Sequence, residues 1–295
     1  MKIVITGAAG FVGRALTASL GSAHSVIAVD QHLNGMPGIA GDLADPAVLQ
    51  AAFAHGCDAV VHLATVPGGA AELDPAQAKR VNVDGTMALI DAAAAAGHTP
   101  RFIFASSIAV FGDPMPASID DTTPLAPRML YGGHKAIMEE WIATQTRRGA
   151  ISGLSLRFPG IVARPKTPSG MKSAFMSNVF HALKSGEQIE LPVSPDATLW
   201  LMSLMCLVSN IEHALGITAT GSVTLPAARM TLAALVAQIA VEAGADPTLA
   251  TYAPDLALEA AFGRQPPLTT ARADALGFRH DGDLTVLVAS ALNTL

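Results

Sequence analysis

The chain has few of the residues on which several classes of protein depend. Its 295 residues include two cysteines, Cys57 and Cys206, which lie far apart and show no CxxC spacing. Neither a disulfide framework nor a structural zinc site is therefore expected, and buried free thiols are the simpler interpretation. The nine histidines form no spaced cluster with carboxylates, so we expect no metal.

Charged residues are also scarce, and the chain has no basic run. They make up 14% of the residues, with a net charge of −6, which argues against nucleic acid as the main partner. The longest apolar tract, Leu199 to Val208, is far shorter than the roughly 20 residues that span a bilayer. The apolar run in the N-terminal "MKIVITGAAG" is too short for a signal peptide. We expect a cytoplasmic protein with no membrane partner.

What the chain does contain is a regular alternation of strand and helix patterns. Short β-branched runs, "KIVIT", "SVIAVD", "AVVHLA", "RFIFASS" and "LSLRF", are separated by segments long enough for crossover helices. This alternation predicts an α/β fold with a Rossmann-like, doubly wound parallel sheet. After Phe158 prolines cluster and the alternation loosens. Residues 1–160 should form the sheet domain and 161–295 mainly a smaller substrate-binding region, with residues around 195–225 returning to the first domain.

A glycine motif follows the first predicted strand. In "VITGAAGFVGRAL", Gly7, Gly10 and Gly13 lie between a strand and a helix that starts near Phe11 and Val12. Glycine permits the tight turn and lets backbone amides approach a pyrophosphate, which the helix N-terminus then favours. The pattern predicts dinucleotide binding by residues 1–160, with cofactor contacts from Gly7, Gly10, Phe11, Val12 and Gly13.

Acidic residues after the second strand bear on the choice of dinucleotide. Asp30 lies close to the spacing at which a carboxylate binds the ribose hydroxyls and repels a 2′-phosphate, and Gln31 and His32 follow it without an arginine. NAD is therefore favoured over NADP, although Asp30 could simply close a surface strand. In "GDLAD", Asp42 and Leu43 could face the adenine. Alternatively, Asp42 or Asp45 caps the next helix.

A second constellation combines strand-end serines with a tyrosine and a lysine. "RFIFASS" ends on Ser106 and Ser107, and "YGGHK" places Tyr131 and Lys135 four residues apart, on one face of a helix. An ammonium there would lower the phenol pKa from its usual value of about 10. Tyr131 could then take a proton from an alcohol, held by Ser107, while hydride leaves the same carbon. The alternative is an incidental helical pair.

These stretches resemble a known family in their order and spacing. "TGAAGFVG", "GDLAD", "VVHLAT", "VNVDGT", "FASSIAVFG", "YGGHK", "LRFPGIVARP" and "TTARADALGF" are similar to those of the extended short-chain dehydrogenases/reductases, the NAD-dependent epimerase/dehydratase family. The resemblance implies NAD as cofactor, Tyr131 as acid/base, Lys135 as ribose-binding and pKa-lowering residue, and Ser107 as their partner. It implies further cofactor contacts from Leu63, Ala64, Thr65, Asn82, Ser106, Pro159, Ile161 and Val162. It also implies a homodimer formed by the helices after Asn82 and around Tyr131.

Two departures from the family pattern bear on the substrate. Gly160 stands where nucleotide-sugar enzymes usually carry an asparagine, and "SPDATLWLMSLMC" lacks their phosphate-binding arginine. A smaller acid is therefore expected. "VSPDATLWL" and "PGIVARPKTPSG" resemble the branch that oxidises the C2 hydroxyl of a four-carbon aldonate such as D-erythronate. Among Arg164, Lys166 and Lys172, we favour Arg164 for the substrate carboxylate because its fork binds both oxygens, although any of the three could be a surface charge.

Two other functions stay open at this point. The first is a nucleotide-sugar epimerase or dehydratase with tightly bound NAD, which would give no net NADH. The second is a non-catalytic NAD-binding sensor. The presence of Ser107, Tyr131 and Lys135 weighs against the sensor.

Overall fold

The structure is a computed structural model that describes residues 1–112, 114–166 and 172–295, with Lys172 described by its backbone alone. The candidate charge of Lys172 and residues 167–170 of the stretch "PGIVARPKTPSG" thus lie outside the description. The chain divides into two compact units. The first comprises Met1–Val110, Pro127–Arg157 and Asn210–Val223, and the second comprises Phe111–Ala126, Phe158–Ser209 and Thr224–Leu295.

Strands and helices alternate through the first half of the chain. The strands are β1 (Lys2–Thr6), β2 (Ser25–Asp30), β3 (Ile39–Ala40), β4 (Ala59–His62), β5 (Arg101–Ser107), β6 (Ser152–Phe158), β7 (Gly160–Val162), β8 (Ile189–Leu191), β9 (Thr198–Ser203), β10 (Gly221–Thr224), β11 (Ala228–Thr231) and β12 (Ala250–Tyr252). The helices are α1 (Phe11–Leu20), α2 (Pro46–Phe53), α3 (Gly68–Leu73), α4 (Pro75–Lys79), α5 (Thr86–Ala96), α6 (Leu130–Arg147), α7 (Phe175–Ser185), α8 (Leu204–Gly216), α9 (Leu232–Ala243), α10 (Leu256–Phe262), α11 (Ala271–Ala275) and α12 (Leu284–Asn293).

The first unit is built on one sheet. Among the described residues, seven strands follow the order β10-β6-β5-β4-β1-β2-β3. β1 pairs in parallel with both β2 and β4, and β2–β3 and β4–β5 are also parallel. The predicted α/β fold with a doubly wound parallel sheet is confirmed. The strand order reverses at β1, and ligands of such sheets bind at the carboxyl ends of the strands beside this reversal.

Apolar side chains explain why the helices cover this sheet. Val4, Val60 and Phe102 project from the strands into a buried cluster with helix residues such as Leu89 and Met138. β-branched and aromatic residues favour strands, and their burial on both faces produces the continuous apolar runs seen in the sequence.

The second unit contains two small sheets. β9 pairs antiparallel with β11 and parallel with β7, and β8 pairs in parallel with β12. Helices α7, α9 and α12 bury apolar residues against these strands. Helix α9 has defined ends, since Thr231 accepts a hydrogen bond from Ala234 N and Gly244 adopts a left-handed φ of 65°.

The compact units depart from the expected bounds at residues 111–126, 158–160 and 195–209, which all lie in the second unit. Residues 111–126 belong to the second unit, where the Ile119 amide donates to Pro267 O and Ile119 O accepts from Thr269 N. Residues 210–223 lie in the first unit, where buried Arg101 donates to the carbonyls of Ala214 and Ala219. The roles assigned to the two regions stay predictions.

Two smaller expectations need correction. Cys57 is buried, but Cys206 is partly exposed, and its thiol donates to the Arg279 carbonyl at 3.4 Å. Strand β4 ends at His62, before the end of the predicted run "AVVHLA". None of the described helices is long and apolar enough to cross a membrane.

Candidate active site

The three motif glycines form a crowded turn at the carboxyl end of β1. Gly7 has a φ of +68°, and a Cβ on it would lie 2.6 Å from Ala64 N. A Cβ on Gly13 would collide with Gly7 O and would lie 2.7 Å from Ala8 Cα. Gly10 is the N-cap of α1, which leaves the first amides of that helix without intrahelical acceptors. The turn can therefore bring free amides close to an anion.

A cavity of about 240 Å³ opens beside this turn at the point where the strand order reverses. Eight predicted cofactor residues line it: Gly7, Gly10, Asp30, Asp42, Leu43, Leu63, Ala64 and Thr65. Its other lining residues are Val29, Gln31, Gly41, Val66, Gln77 and Val81. Four of these six residues are neighbours in sequence of the predicted residues, whereas Gln77 and Val81 come from the helical segment before Asn82. Phe11, Val12 and Gly13 continue from the turn into α1.

Asp30 connects β2 to the glycine turn. Its carboxylate accepts hydrogen bonds from Ala9 N at 2.9 Å and from His32 N at 3.2 Å, and it lines the cavity. The side chain therefore does more than close a surface strand, because it fixes the glycine turn while facing the cavity. Gln31 is the lining residue that follows it, so no cation accompanies it there to attract a 2′-phosphate.

Asp42 and Asp45, which were alternatives for one capping role, have separate roles. Asp45 is the N-cap of α2 and accepts from Ala47 N. Asp42 accepts from Ala44 N at 2.9 Å and forms a 2.6 Å ion pair with Arg80. The Ala44 amide and the Arg80 guanidinium hold the pKa of Asp42 below its usual value. Asp42 is thus a fixed anion at the cavity wall.

Asn82 shapes another part of this wall from a π-helical turn, Arg80–Gly85. Its Oδ1 accepts from Val66 N at 2.7 Å and Thr65 Oγ1 at 3.1 Å, and its Nδ2 donates to Val66 O at 3.0 Å. π-helical turns are common at functional sites. The supporting role predicted for Asn82 is consistent with this geometry, because it holds two lining residues of the cavity.

Tyr131 and Lys135 lie in the first two turns of α6. Lys135 is only 3% exposed, and its Nζ lies 5.5 Å from the centre of the Tyr131 ring and 4.6 Å from that of Phe104. Gly132 lets α6 approach the turn after β5 closely, because a side chain there would strike the Ala109 carbonyl. The two predicted residues are therefore brought together beside a buried aromatic ring.

The paired serines have different environments. Ser107 is partly exposed at the end of β5, and its Oγ accepts from Ala109 N at 3.2 Å. Ser106 is buried, and its Oγ donates to Glu139 Oε1 at 2.5 Å. The Ser106 hydroxyl is thus committed to Glu139, which leaves Ser107 as the serine available for a substrate hydroxyl.

Burial controls the protonation of two groups near this centre. It lowers the pKa of Lys135 to about 7, and Glu139 opposes the shift. It also lowers the pKa of His62 to about 3, with the Lys135 charge as a second cause. His62 is therefore a neutral residue below the centre, hydrogen-bonded to Thr6 Oγ1 at 2.6 Å and Thr86 Oγ1 at 2.8 Å.

The remaining candidates lie in the second unit. Pro159, Ile161 and Val162 are buried at β7. Arg164 donates from Nε to Ile161 O at 3.2 Å and lines a cavity of about 70 Å³ with residues of β7 and α7. Lys166 pairs with Glu187 at the surface, as expected for a solubilising charge. Contact of these residues with cofactor or substrate stays a prediction.

Comparison with known proteins identifies the family. Residues 3–198 match the model of the NAD dependent epimerase/dehydratase family. The chain belongs to this family. It is 34% identical to D-erythronate dehydrogenase of Cupriavidus necator over 98% of this chain and 97% of the relative. It is also 34% identical to D-erythronate dehydrogenase of Haemophilus influenzae, over 73% of this chain and 72% of the relative. A solved nucleoside-diphosphate-sugar epimerase from Agrobacterium tumefaciens is 31% identical, with a TM-score of 0.87 over 98% of this chain and 92% of that one.

Family membership makes the protein an NAD-dependent oxidoreductase, and the first unit fits NAD. A Cβ at Gly7 or Gly13 would fill the turn that has to approach the pyrophosphate. The Asp30 carboxylate faces the same cavity and is suited to ribose hydroxyls. Among the described residues, no group of three or more His, Cys, Asp or Glu is arranged to hold a metal ion.

Two charged residues of the site were missed by the sequence analysis. Glu139 lies one turn after Lys135, and Arg157 lies on β6. The four-residue spacing from Lys135 to Glu139 was a usable signal, because it places both on one helix face. No local signal marks Arg157, since its partner becomes apparent only when α6 packs beside the sheet.

Proposed function

We propose that this protein is a dehydrogenase that oxidises the C2 hydroxyl of a small sugar acid, such as D-erythronate, with a Ser107–Tyr131–Lys135 centre. NAD held by the glycine turn and Asp30 would supply the hydride acceptor. Lys135 stabilises the phenolate of Tyr131, which takes the hydroxyl proton as the carbon gives up its hydride. The products are a ketone, NADH and a protonated Tyr131. Ser107 holds the reacting oxygen.

One observation carries the catalytic part of this proposal. The Lys135 ammonium lies 5.5 Å from the centre of the Tyr131 ring, in the unit that also contains the glycine turn and its cavity. A cation at this distance favours the charged form of a phenol. An incidental helical pair would have no reason to bury a lysine beside two aromatic rings, because burial disfavours the ammonium.

Gly160 supports a small acid over a sugar nucleotide. A Cβ at this position would lie 2.9 Å from Leu201 Cδ2 and 3.1 Å from Trp200 O, so an asparagine would require these neighbours to move. Residues 199–203 of β9 are buried and uncharged, so this segment presents no cation to a phosphate. The near full-length similarity to a D-erythronate dehydrogenase points to the same substrate class.

The substrate carboxylate is assigned to Arg164. Its guanidinium can bind both carboxylate oxygens, and it lines a small cavity with Ser173, Ser177 and Asn178. Arg164→Lys keeps the charge but loses the fork, so it should raise the KM for the acid more than it lowers kcat.

The test is oxidation of a panel of four- to six-carbon sugar acids, followed by NADH absorbance. D-erythronate should give stoichiometric NADH. Tyr131→Phe should lower kcat by about 10²–10⁴-fold, the usual contribution of a general base, with little change in NAD affinity. Tyr252→Phe, which removes the only other tyrosine hydroxyl, is the matched control. Full turnover by Tyr131→Phe would exclude this mechanism.

A nucleotide-sugar epimerase is the second candidate, and the 31% identity to a nucleoside-diphosphate-sugar epimerase supports it. It predicts conversion of a UDP-sugar without net NADH. The expected homodimer and cytoplasmic location stay predictions.

A further inference from the structure

A buried carboxylate lies one helical turn beyond Lys135. The Glu139 side chain is 4% exposed, and it accepts from Ser106 Oγ at 2.5 Å and from Arg157 Nη2 at 2.7 Å. Arg157 Nε adds a second bond at 3.0 Å, and the Arg157 side chain is 11% exposed. Glu139 therefore ties α6 to both β5 and β6.

Titratable side chains surround Lys135 on two elements. Tyr131, His134 and Glu139 lie on α6, and β4 contributes His62, which is neutral. Glu139 is the neighbour that favours the ammonium, against the lowering of the Lys135 pKa by burial. The catalytic lysine thus depends on an anion to hold its charge.

We propose that Glu139 is a positioning residue that keeps the remaining proton on Lys135 once the Tyr131–Lys135 pair has lost one proton. This inference rests on the proposed Tyr131–Lys135 centre. After one proton is lost, the pair has two forms, phenolate with ammonium or phenol with amine. The first can accept a proton from an alcohol, and a nearby anion stabilises it through its ammonium.

Arg157 and Ser106 explain how Glu139 can perform this role. A buried carboxylate without partners would take up a proton and lose its charge. The hydroxyl of Ser106 donates to Oε1 of Glu139 and the guanidinium of Arg157 donates to Oε2, so both oxygens of the carboxylate have hydrogen-bond donors. Glu139 can then act on the Lys135 ammonium, which lies 5.5 Å from the centre of the Tyr131 ring.

The composition of the chain allows a direct measurement. Its two tyrosines are Tyr131 and Tyr252, so Tyr252→Phe leaves Tyr131 as the sole phenol. Titration of ¹³C-labelled tyrosine by NMR in the NAD-bound protein then reports the ionisation of Tyr131 alone. Glu139→Gln should raise the Tyr131 midpoint by about one pH unit, which corresponds to about tenfold less phenolate, and tenfold lower kcat, near neutral pH.

Glu140→Gln is the matched control, because Glu140 is an exposed glutamate on the same helix that pairs with Arg147. It should leave the Tyr131 midpoint and kcat unchanged. In a Lys135→Met background, Glu139→Gln should no longer move the midpoint, since Glu139 acts through the ammonium. A purely structural role would lower the melting temperature without this dependence on Lys135.

The proposal is overturned if Glu139→Gln binds NAD and leaves the Tyr131 midpoint in place. If that variant does not fold, Glu139→Asp provides the test, because it keeps the charge but withdraws it by one methylene. It should raise the midpoint by less than one pH unit, and no change would overturn the proposal. Failure of the proposed function is distinguishable, because Tyr131→Phe would then retain turnover whatever the titration shows.

Discussion

Replacement of Gly7 by alanine tests the glycine turn most directly. An L-residue at a φ of +68° carries a conformational cost of roughly 1–2 kcal/mol. The new Cβ would also lie 2.6 Å from Ala64 N, and such forced overlap in a packed region costs roughly 1–3 kcal/mol. The two terms together predict a loss of about 2–5 kcal/mol in the free energy of unfolding, the sum of those ranges.

Two other glycines separate these terms. Gly35 has a φ of +84° and open space around it, so Gly35→Ala should show only the backbone cost. Gly13 has no positive φ but is crowded by Gly7 O and Ala8, so Gly13→Ala should show only the overlap. The Gly7→Ala loss should exceed the Gly35→Ala loss by the cost of the overlap with Ala64.

The assay is urea unfolding monitored by circular dichroism, with NAD binding measured by calorimetry. Gly7→Ala and Gly13→Ala should weaken NAD binding strongly, because the turn widens away from the pyrophosphate. Gly35→Ala should leave NAD affinity unchanged. Parent-like unfolding and NAD affinity in Gly7→Ala would refute both the close approach and the assignment of the cavity.

Two further predictions concern single carboxylate and imidazole groups. Asp30→Asn keeps an acceptor for Ala9 N but removes the charge. The affinity for NAD should therefore fall about 10- to 100-fold, the value of one charge-assisted bond, and discrimination against NADP should weaken. An unchanged ratio of NAD to NADP affinity, measured by calorimetry, would contradict this prediction. The pKa of His62 is lowered from 6.5 to about 3, so the unfolded state binds more protons than the folded state between these pH values. The contribution of His62 to the free energy of unfolding is therefore complete above pH 6.5. It should be lost towards pH 3 by up to about 1.4 kcal/mol per pH unit. Urea unfolding from pH 7 to pH 4 should show a shallower loss in His62→Gln, and equal slopes would contradict it.

Local rules were sufficient for several features of the first unit. The glycine turn was predictable because the need for positive φ and close approach restricts residue choice at Gly7 and Gly13. Tyr131 and Lys135 were predictable because helical spacing alone places them on one face.

Features that depend on contacts between residues distant in sequence could not be predicted. The assignment of Asp42 depended on Arg80, which is distant in sequence and forms the ion pair only after α4 packs. Residues 111–126 join the second unit through a bridge between Ile119 and Leu268, for which no sequence periodicity gives a signal. Glu139 looked like an ordinary helix charge until its burial with Arg157 was known.

The position of β10 has a consequence for synthesis. This strand borders β6 at the edge of the main sheet, yet the ribosome makes it after residues 158–209 of the second unit. A nascent chain therefore holds β6 as an open edge, a surface prone to association with other strands, until residue 223 has left the exit tunnel. Residues 210–223 are synthesised after β5, and their carbonyls at Ala214 and Ala219 accept hydrogen bonds from the guanidinium of Arg101 on that strand. Arg101 thus binds this segment once it has been synthesised.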